Sequence, residues 1–186
     1  MKKTLITSLL ALAATTSSFA AVKSGKIGVD FATNSSTGIT NGNGNNTTQS
    51  LGVWWHVTDM IAIRPSLAYS TSTTTTETPA TNTKSSVTTN SFGVGISVPI
   101  YLAKMNLLDL YVAPAFSYGS NGSNYSGIDA AVSLGLQVAV NDQLQFFGEM
   151  GLGYRNQTDK ATAGTTVTTS GFGTARGAVG VIFYFN

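Results

Sequence analysis

The sequence predicts an all-β chain: a transmembrane, antiparallel, up-and-down β-barrel of eight strands. Three observations lead there. From Gly25 onward hydrophobicity alternates with a period of two, the spacing of strands that bury one face and not the other. Only 10% of the residues are charged, against about 25% in an ordinary soluble domain. Yet beyond the first twenty residues no apolar run approaches the roughly 20 residues a membrane-spanning helix needs. Finally, short and long connections alternate along the chain, a segregation that a soluble sandwich has no reason to adopt and a membrane barrel does.

Residues 1–20 read as a secretory signal peptide and residues 21–186 as the barrel. Lys2 and Lys3 precede an apolar run from Leu5 to Ala14, and Ser18-Phe19-Ala20 forms a small-residue exit, so cleavage is expected after Ala20. That run is too short, and too interrupted by Thr7 and Ser8, to be an anchor across about 30 Å of hydrocarbon. Without Lys2 and Lys3, the ten basic residues fall to eight, matching the eight acidic ones. A formally neutral chain offers nothing to nucleic acid. Cysteine is absent, which excludes disulfides, thiolate metal sites and a cysteine nucleophile.

The eight strands follow in order. Ile27–Phe31 alternates with Asp30 on the non-lipid face, and Leu51–Val57 does so with Trp54 and His56 opposite. Ile61–Tyr69 sets Arg64 against its apolar face, and Phe92–Leu102 sets Gly93, Gly95, Ser97 and Tyr101. Leu108–Tyr118 carries Asp109 opposite Leu108, Leu110, Val112 and Phe116; Ile128–Val140 carries Asp129, Ser133 and Gln137. In Leu144–Tyr154 the even face is apolar and the odd face holds Gln145 and Glu149, with Arg155 at its end. Gly173–Phe185 puts Gly173, Val179, Val181, Phe183 and Phe185 on the lipid side, and Arg176, Ile182 and Tyr184 on the other. Pro65, Pro99 and Pro114 fall inside three of these segments, where a closed barrel has no free edge for a missing N–H. Bulges or locally open pairing are expected there.

Thr58-Asp59-Met60, Ala103–Asn106 and Asn141-Asp142 are the short turns. Asn34–Thr48, Ser72–Ser86, Gly119–Ser126 and Gln157–Thr168 are the expected long, solvated loops, rich in Thr, Asn, Ser and Gly. On the apolar face the aromatic residues form two girdles. Trp55, Phe146, Phe183 and Phe185 lie toward the short turns, while Phe31, Tyr69, Phe92, Phe116, Tyr118 and Tyr154 lie toward the long loops.

An eight-stranded barrel has a lumen only wide enough for side chains. Asp30, Arg64, Asp109, Glu149 and Arg176 are therefore expected to form a lumenal polar network, because buried charges that stay unpaired cost several kcal/mol each. Strand parity sets Asp129 opposite Arg155 as a pair near the outer rim, Gly135 opposite Glu149, and Trp54 opposite Arg64; Arg64 or Arg176 is the candidate partner of Glu149 across the lumen. No cofactor or metal set is visible. The single histidine, His56, finds no ligand in its neighbours Trp54 and Val57 and reads as a lumenal or turn-proximal hydrogen-bonding group, not a catalytic base. Gly93-Val-Gly95 and Gly151-Leu-Gly153 lie mid-strand with no following helix, so they read as small inward residues and not as a phosphate loop.

The exit signal, the eight amphipathic segments and the closing run Val181-Ile-Phe-Tyr-Phe185 resemble the small outer-membrane barrels typified by the OmpA transmembrane domain and OmpX, a plan that Ail-type adhesins and OmpW-type barrels share. The resemblance spans the whole chain after residue 20, and one detail departs from it: Asn186 follows the terminal aromatic residue. It implies a protein of the Gram-negative outer membrane, in contact with its lipid and delivered by the barrel assembly machinery through the C-terminal strand. Both termini would be periplasmic. Such a chain is not expected to be an enzyme; it is expected to be a side-chain-plugged barrel with a structural role and loops that recognise a cell-surface or phage ligand. The alternative is a narrow pore for small solutes.

Overall fold

The computed structural model describes residues 24–36, 46–78, 83–105, 107–121, 125–161 and 165–185. The signal-peptide segment lies outside these. β-branched and aromatic residues in period-two alternation produce nine strands. They are β1 (Ile27–Ser36), β2 (Asn46–His56), β3 (Ala62–Thr78), β4 (Thr83–Ser97), β5 (Ile100–Lys104), β6 (Leu108–Ser120), β7 (Tyr125–Ala139), β8 (Leu144–Ala161) and β9 (Thr165–Phe185).

Apart from β4 and β5, sequential strands pair antiparallel, β1 pairs with β9, and both β4 and β5 pair with β6. Ser97 stands opposite Ala115 and Ile100 opposite Val112, three residues forward on one side and three back on the other, so the register crosses from β4 to β5 without a slip. β4 and β5 are thus two halves of one stave. The barrel is closed with eight staves, which leaves no sheet edge within the wall, as a hydrocarbon setting demands.

The prolines account for the seams. Pro99 is the break between β4 and β5, and its carbonyl still accepts from Ala62 N at 2.9 Å. Pro114 faces that same break, where its carbonyl accepts from Val98 N at 2.9 Å, and it pairs with Val132 of β7 without a slip. Beside Pro65 the β2–β3 ladder is interrupted between Gly52↔Ser66 and Trp55↔Ile63, while the pairing to β4 runs through. Missing donors therefore fall on interrupted seams. The bulges expected at the prolines lie elsewhere, between Tyr101 and Ala103 and between Gly151 and Gly153.

Two expectations are corrected. Ser72–Ser86 and Gln157–Thr168 are not loose loops for most of their length: β3 and β4 stay paired out to Thr78↔Thr83, and β8 and β9 to Ala161↔Thr165. Threonine is β-branched and favours the pleated surface, and Thr73 and Thr88 share a hydroxyl hydrogen bond of 3.1 Å across the ribbon. Residues 37–45 of the Asn34–Thr48 tract lie outside the described residues. The second correction concerns β9. Its register slips by one residue opposite Gly151–Gly153, so Phe172 faces outward opposite Tyr154, and the parity that put Gly173 on the lipid side ends at the bulge.

Candidate lumenal site

Alternate residues of every stave point into the barrel. Near the short-turn end those side chains are large. Trp54, Tyr101, Tyr111 and Ile182 are fully buried together with His56, Gln137 and Asp30, and Phe147 and Tyr184 are nearly so. Trp54 packs edge-on against Tyr111 and Phe147, with centroids 5.8 and 5.6 Å apart, and His56 stacks on Tyr101 at 5.5 Å. Close approach of backbone and ring explains two of the glycines. A Cβ at Gly135 would run into the Tyr111 ring, and one at Gly52 into the Asp30 carboxylate.

Above this floor lies a charged layer. Arg64 Nε donates to Asp30 Oδ2 at 2.9 Å and Nη2 to Asp30 Oδ1 at 2.8 Å, a bidentate fork. Its remaining arm, Nη1, donates to Glu149 Oε1 at 3.2 Å. Tyr111 OH donates to the same carboxylate oxygen at 2.9 Å, and Ser133 Oγ reaches Glu149 Oε2 at 3.4 Å. The guanidinium also lies over the Trp54 and Phe147 rings, 5.1 and 4.5 Å from their centroids. Three staves far apart in sequence thus converge on one cation, and all three charged groups are buried.

Below the charges runs a neutral network. His56 Nε2 and Tyr184 OH are 2.9 Å apart, Gln137 Nε2 donates to Tyr184 OH at 2.9 Å and to Gln145 Oε1, and Tyr101 OH donates to Gln137 Oε1 at 2.7 Å. His56 is a lumenal hydrogen-bonding group here. Among the described residues no cluster of three or more His, Asp or Glu is arranged to hold a metal.

Of the expected network, Asp30, Arg64 and Glu149 come together. Asp109 does not join them: it is buried near the short-turn end, across the β5–β6 ladder from Lys104. The backbone of Arg176 lies in β9 opposite Gly151, and its side chain falls outside the described residues. β7 and β8 pair with Asp129 opposite Arg155 and Gly135 opposite Glu149, the register that strand parity predicts. Arg155 Nε donates to Asp129 Oδ1, and both side chains are partly exposed. Tyr111 and Phe147 also belong to this site, and their only signal in the sequence is an inward parity position. An apolar or aromatic residue facing inward is easily taken for a flank when charges mark the lumen.

Trp55, Phe146, Phe183 and Phe185 at one end, and Tyr69, Phe92, Phe116, Tyr118 and Tyr154 toward the other, all face outward, as does Phe31. Between charged layer and rim the inward residues are small: Ser66, Ala68, Gly95, Ala115, Ala131 and Gly151. They remain partly exposed, unlike the residues of the floor. The lumen is therefore packed with side chains toward the short turns and lined by small residues above them.

No family model and no curated protein matches the chain. Similar solved structures exist. A de novo designed transmembrane β-barrel superposes with TM-score 0.53 at 13% identity, covering 89% of this chain and all of that one. The outer membrane protein OprG from Pseudomonas aeruginosa gives 0.51 at 11% identity over 88% and 97% of the two chains, and Neisserial surface protein A gives 0.50 at 13% identity over 86% and 96%. At these identities the likeness is one of fold, and the chain has the fold of the small transmembrane β-barrels of outer membranes.

Proposed function

We propose that this chain is an integral protein of a Gram-negative outer membrane, sealed at its lumen, that serves as a structural element and as a rigid base for surface-recognising hairpins. The observation that carries the sealed lumen is Arg64, held by Asp30 on one side and Glu149 on the other above a fully buried aromatic floor. Eight staves leave only side-chain space, and toward the short turns large side chains occupy it. The outward girdles support immersion in lipid between two interfaces. Ser24, Gly25 and Phe185 all lie at the short-turn end, which supports a periplasmic position for both termini, with the C-terminal strand available to the assembly machinery. The β3–β4 and β8–β9 hairpins then face the exterior, where varied partners on cells or phage are met. No catalytic step and no cofactor belong to this reading.

A second reading, a narrow pore for small solutes, is favoured by the small-residue vestibule, which would become a conduit if Arg64 swung aside. Planar-bilayer recording separates the two. The sealed reading expects an electrically silent protein and conductance in Arg64→Ala; stepwise conductance in the parent would establish the pore instead. Recognition is tested by comparing ligand or phage capture by cells carrying the parent with cells carrying a variant shortened at the β3–β4 hairpin.

A further inference from the structure

The outward apolar belt is not of one height round the wall. Strands rise about 3.3 Å per residue and barrel strands tilt by about 40°, so each residue adds about 2.5 Å along the membrane normal. Counted from the short-turn edge, the outward apolar residues run from Leu102 to Phe92 on the β5–β4 stave, from Leu108 to Tyr118 on β6 and from Leu144 to Tyr154 on β8. Each of these spans about 25 Å, the usual height of such a belt. On the β3 stave they run from Ile61 to Tyr69, about 20 Å; on β2 from Val57 to Leu51, about 15 Å; and on β1 from Ile27 to Phe31, about 10 Å. The upper edge therefore descends as a ramp from β4 to β1. Above the ramp the outward face is polar and uncharged. Thr33 and Gln49 are exposed and stand opposite each other, and the ladder continues to Ser35↔Thr47. On the far side β9 interrupts its apolar row at Gly177, opposite Ser35, and restores it at Phe172.

We propose that the barrel thins the outer leaflet on one side: opposite β1 and β2, water and the hydrated headgroup layer descend to Gln49 and Thr33, about 5–10 Å below the level that acyl chains reach along the other staves. This rests on the barrel's immersion in lipid with its hairpins outward. Acyl chains held at full height would leave an amide and a hydroxyl in a medium that offers them no hydrogen bond. Drawing the leaflet down costs little per ångström by comparison. Tilting the whole barrel does not remove the mismatch, because the lower edge of the belt is level. Ile27 stands opposite both Trp55 and Phe185 in the short-turn girdle, with Lys26 next below it and Asp59 in the adjoining turn. Lifting the β1–β2 side far enough to free Thr33 would pull those charges into hydrocarbon. The exposed groups above the ramp carry no charge, so the surface suits water and headgroup hydroxyls and selects no headgroup by its sign.

The chain contains no cysteine, so a single nitroxide label reports one position. Gln49→Cys and Thr33→Cys are compared with Val94→Cys and Ile96→Cys, which stand at about the same two heights on a stave with a full belt. Each protein is labelled and refolded into phosphatidylcholine vesicles. Its accessibility is then measured to oxygen, which partitions into hydrocarbon, and to a water-soluble nickel chelate. The nickel-to-oxygen ratio should be severalfold higher at Gln49 and Thr33 than at Val94 and Ile96. A second measurement needs no label: the double variant Thr33→Leu, Gln49→Leu extends the belt upward, and its folding yield in long-chain relative to short-chain vesicles should exceed the parent's severalfold. Oxygen-dominated access at all four positions, or an unchanged chain-length preference, overturns the thinning. So does exclusion of both reagents at Gln49 and Thr33 with spin–spin broadening, which would mean that a second copy covers the ramp. Nickel access at all four positions overturns it differently, by removing the immersion in lipid on which it rests.

Discussion

The two halves of the lumen are built on the same staves and differ in what fills them. Toward the short turns the inward positions carry Trp54, His56, Tyr101, Tyr111, Phe147 and Tyr184; toward the hairpins they carry Ser66, Ala68, Gly93, Ala115, Ala131 and Gly151. The wall has one circumference along its length, so the difference in side-chain volume becomes a difference in space. The lower half is a packed interior, where shape changes are costly, and the upper half is a vestibule, where they are not. The charged layer marks the boundary. Its arginine is held between two carboxylates and two aromatic rings, a geometry with fully formed hydrogen bonds that offsets the desolvation of three buried charges.

The most severe way to break this contrast is Arg64→Ala. It strands Asp30 and Glu149 together in the lumen and should destabilise the folded barrel by about 3–5 kcal/mol, read from urea unfolding in lipid vesicles. Glu149→Ala should cost less than Arg64→Ala, because Asp30 keeps its bidentate hold on the guanidinium. Equal losses would mean that the third contact, not the fork, organises the layer.

Moving from charge to wall, Val132→Arg or Leu152→Arg should lose about 2–4 kcal/mol if these outward positions sit near the bilayer midplane, with the same unfolding measurement. A neutral outcome would place them outside the hydrocarbon. Next in size, Gly135→Leu must displace the Tyr111 ring and should cost about 1–3 kcal/mol or more, whereas Ala131→Leu, facing the vestibule, should be close to neutral. A matched penalty at both sites would erase the distinction between packed floor and vestibule. The smallest effect is expected at the rim. Asp129 and Arg155 are solvated enough that Asp129→Ala should change stability by less than about 1 kcal/mol.

Much of this was legible from alternation alone. Strand parity assigned the inward charges and the outward rings, and set Asp129 against Arg155. A period of two has only two answers per strand, and in lipid a wrong one would place charge in hydrocarbon, so the register is strongly determined. Parity carries less far where a bulge intervenes: nothing local to Gly173 announces that β9 slips a residue there. Nor does composition separate a threonine-rich loop from a threonine-rich ribbon, since solvation and β propensity point opposite ways for the same residues.

By itself the sequence determined the class of fold, the face on which strand residues sit except beyond the β9 bulge, and the ends toward which the aromatic rings gather, because all three follow from the alternating pleat and the solvent on each side of it. Only the tertiary structure decided which charges meet. Asp30, Arg64 and Glu149 come from β1, β3 and β8, and their convergence depends on barrel closure and on the height each reaches along a shared axis, which no single strand encodes. Asp109, on the same kind of face, stands at a different height and so lies outside that layer. Strand pairing likewise decided that Pro114 bonds Val98 beside the break at Pro99, and that Ala130 lies between two aromatic rings, since neighbours across the wall are set by pairing and not by distance along the chain.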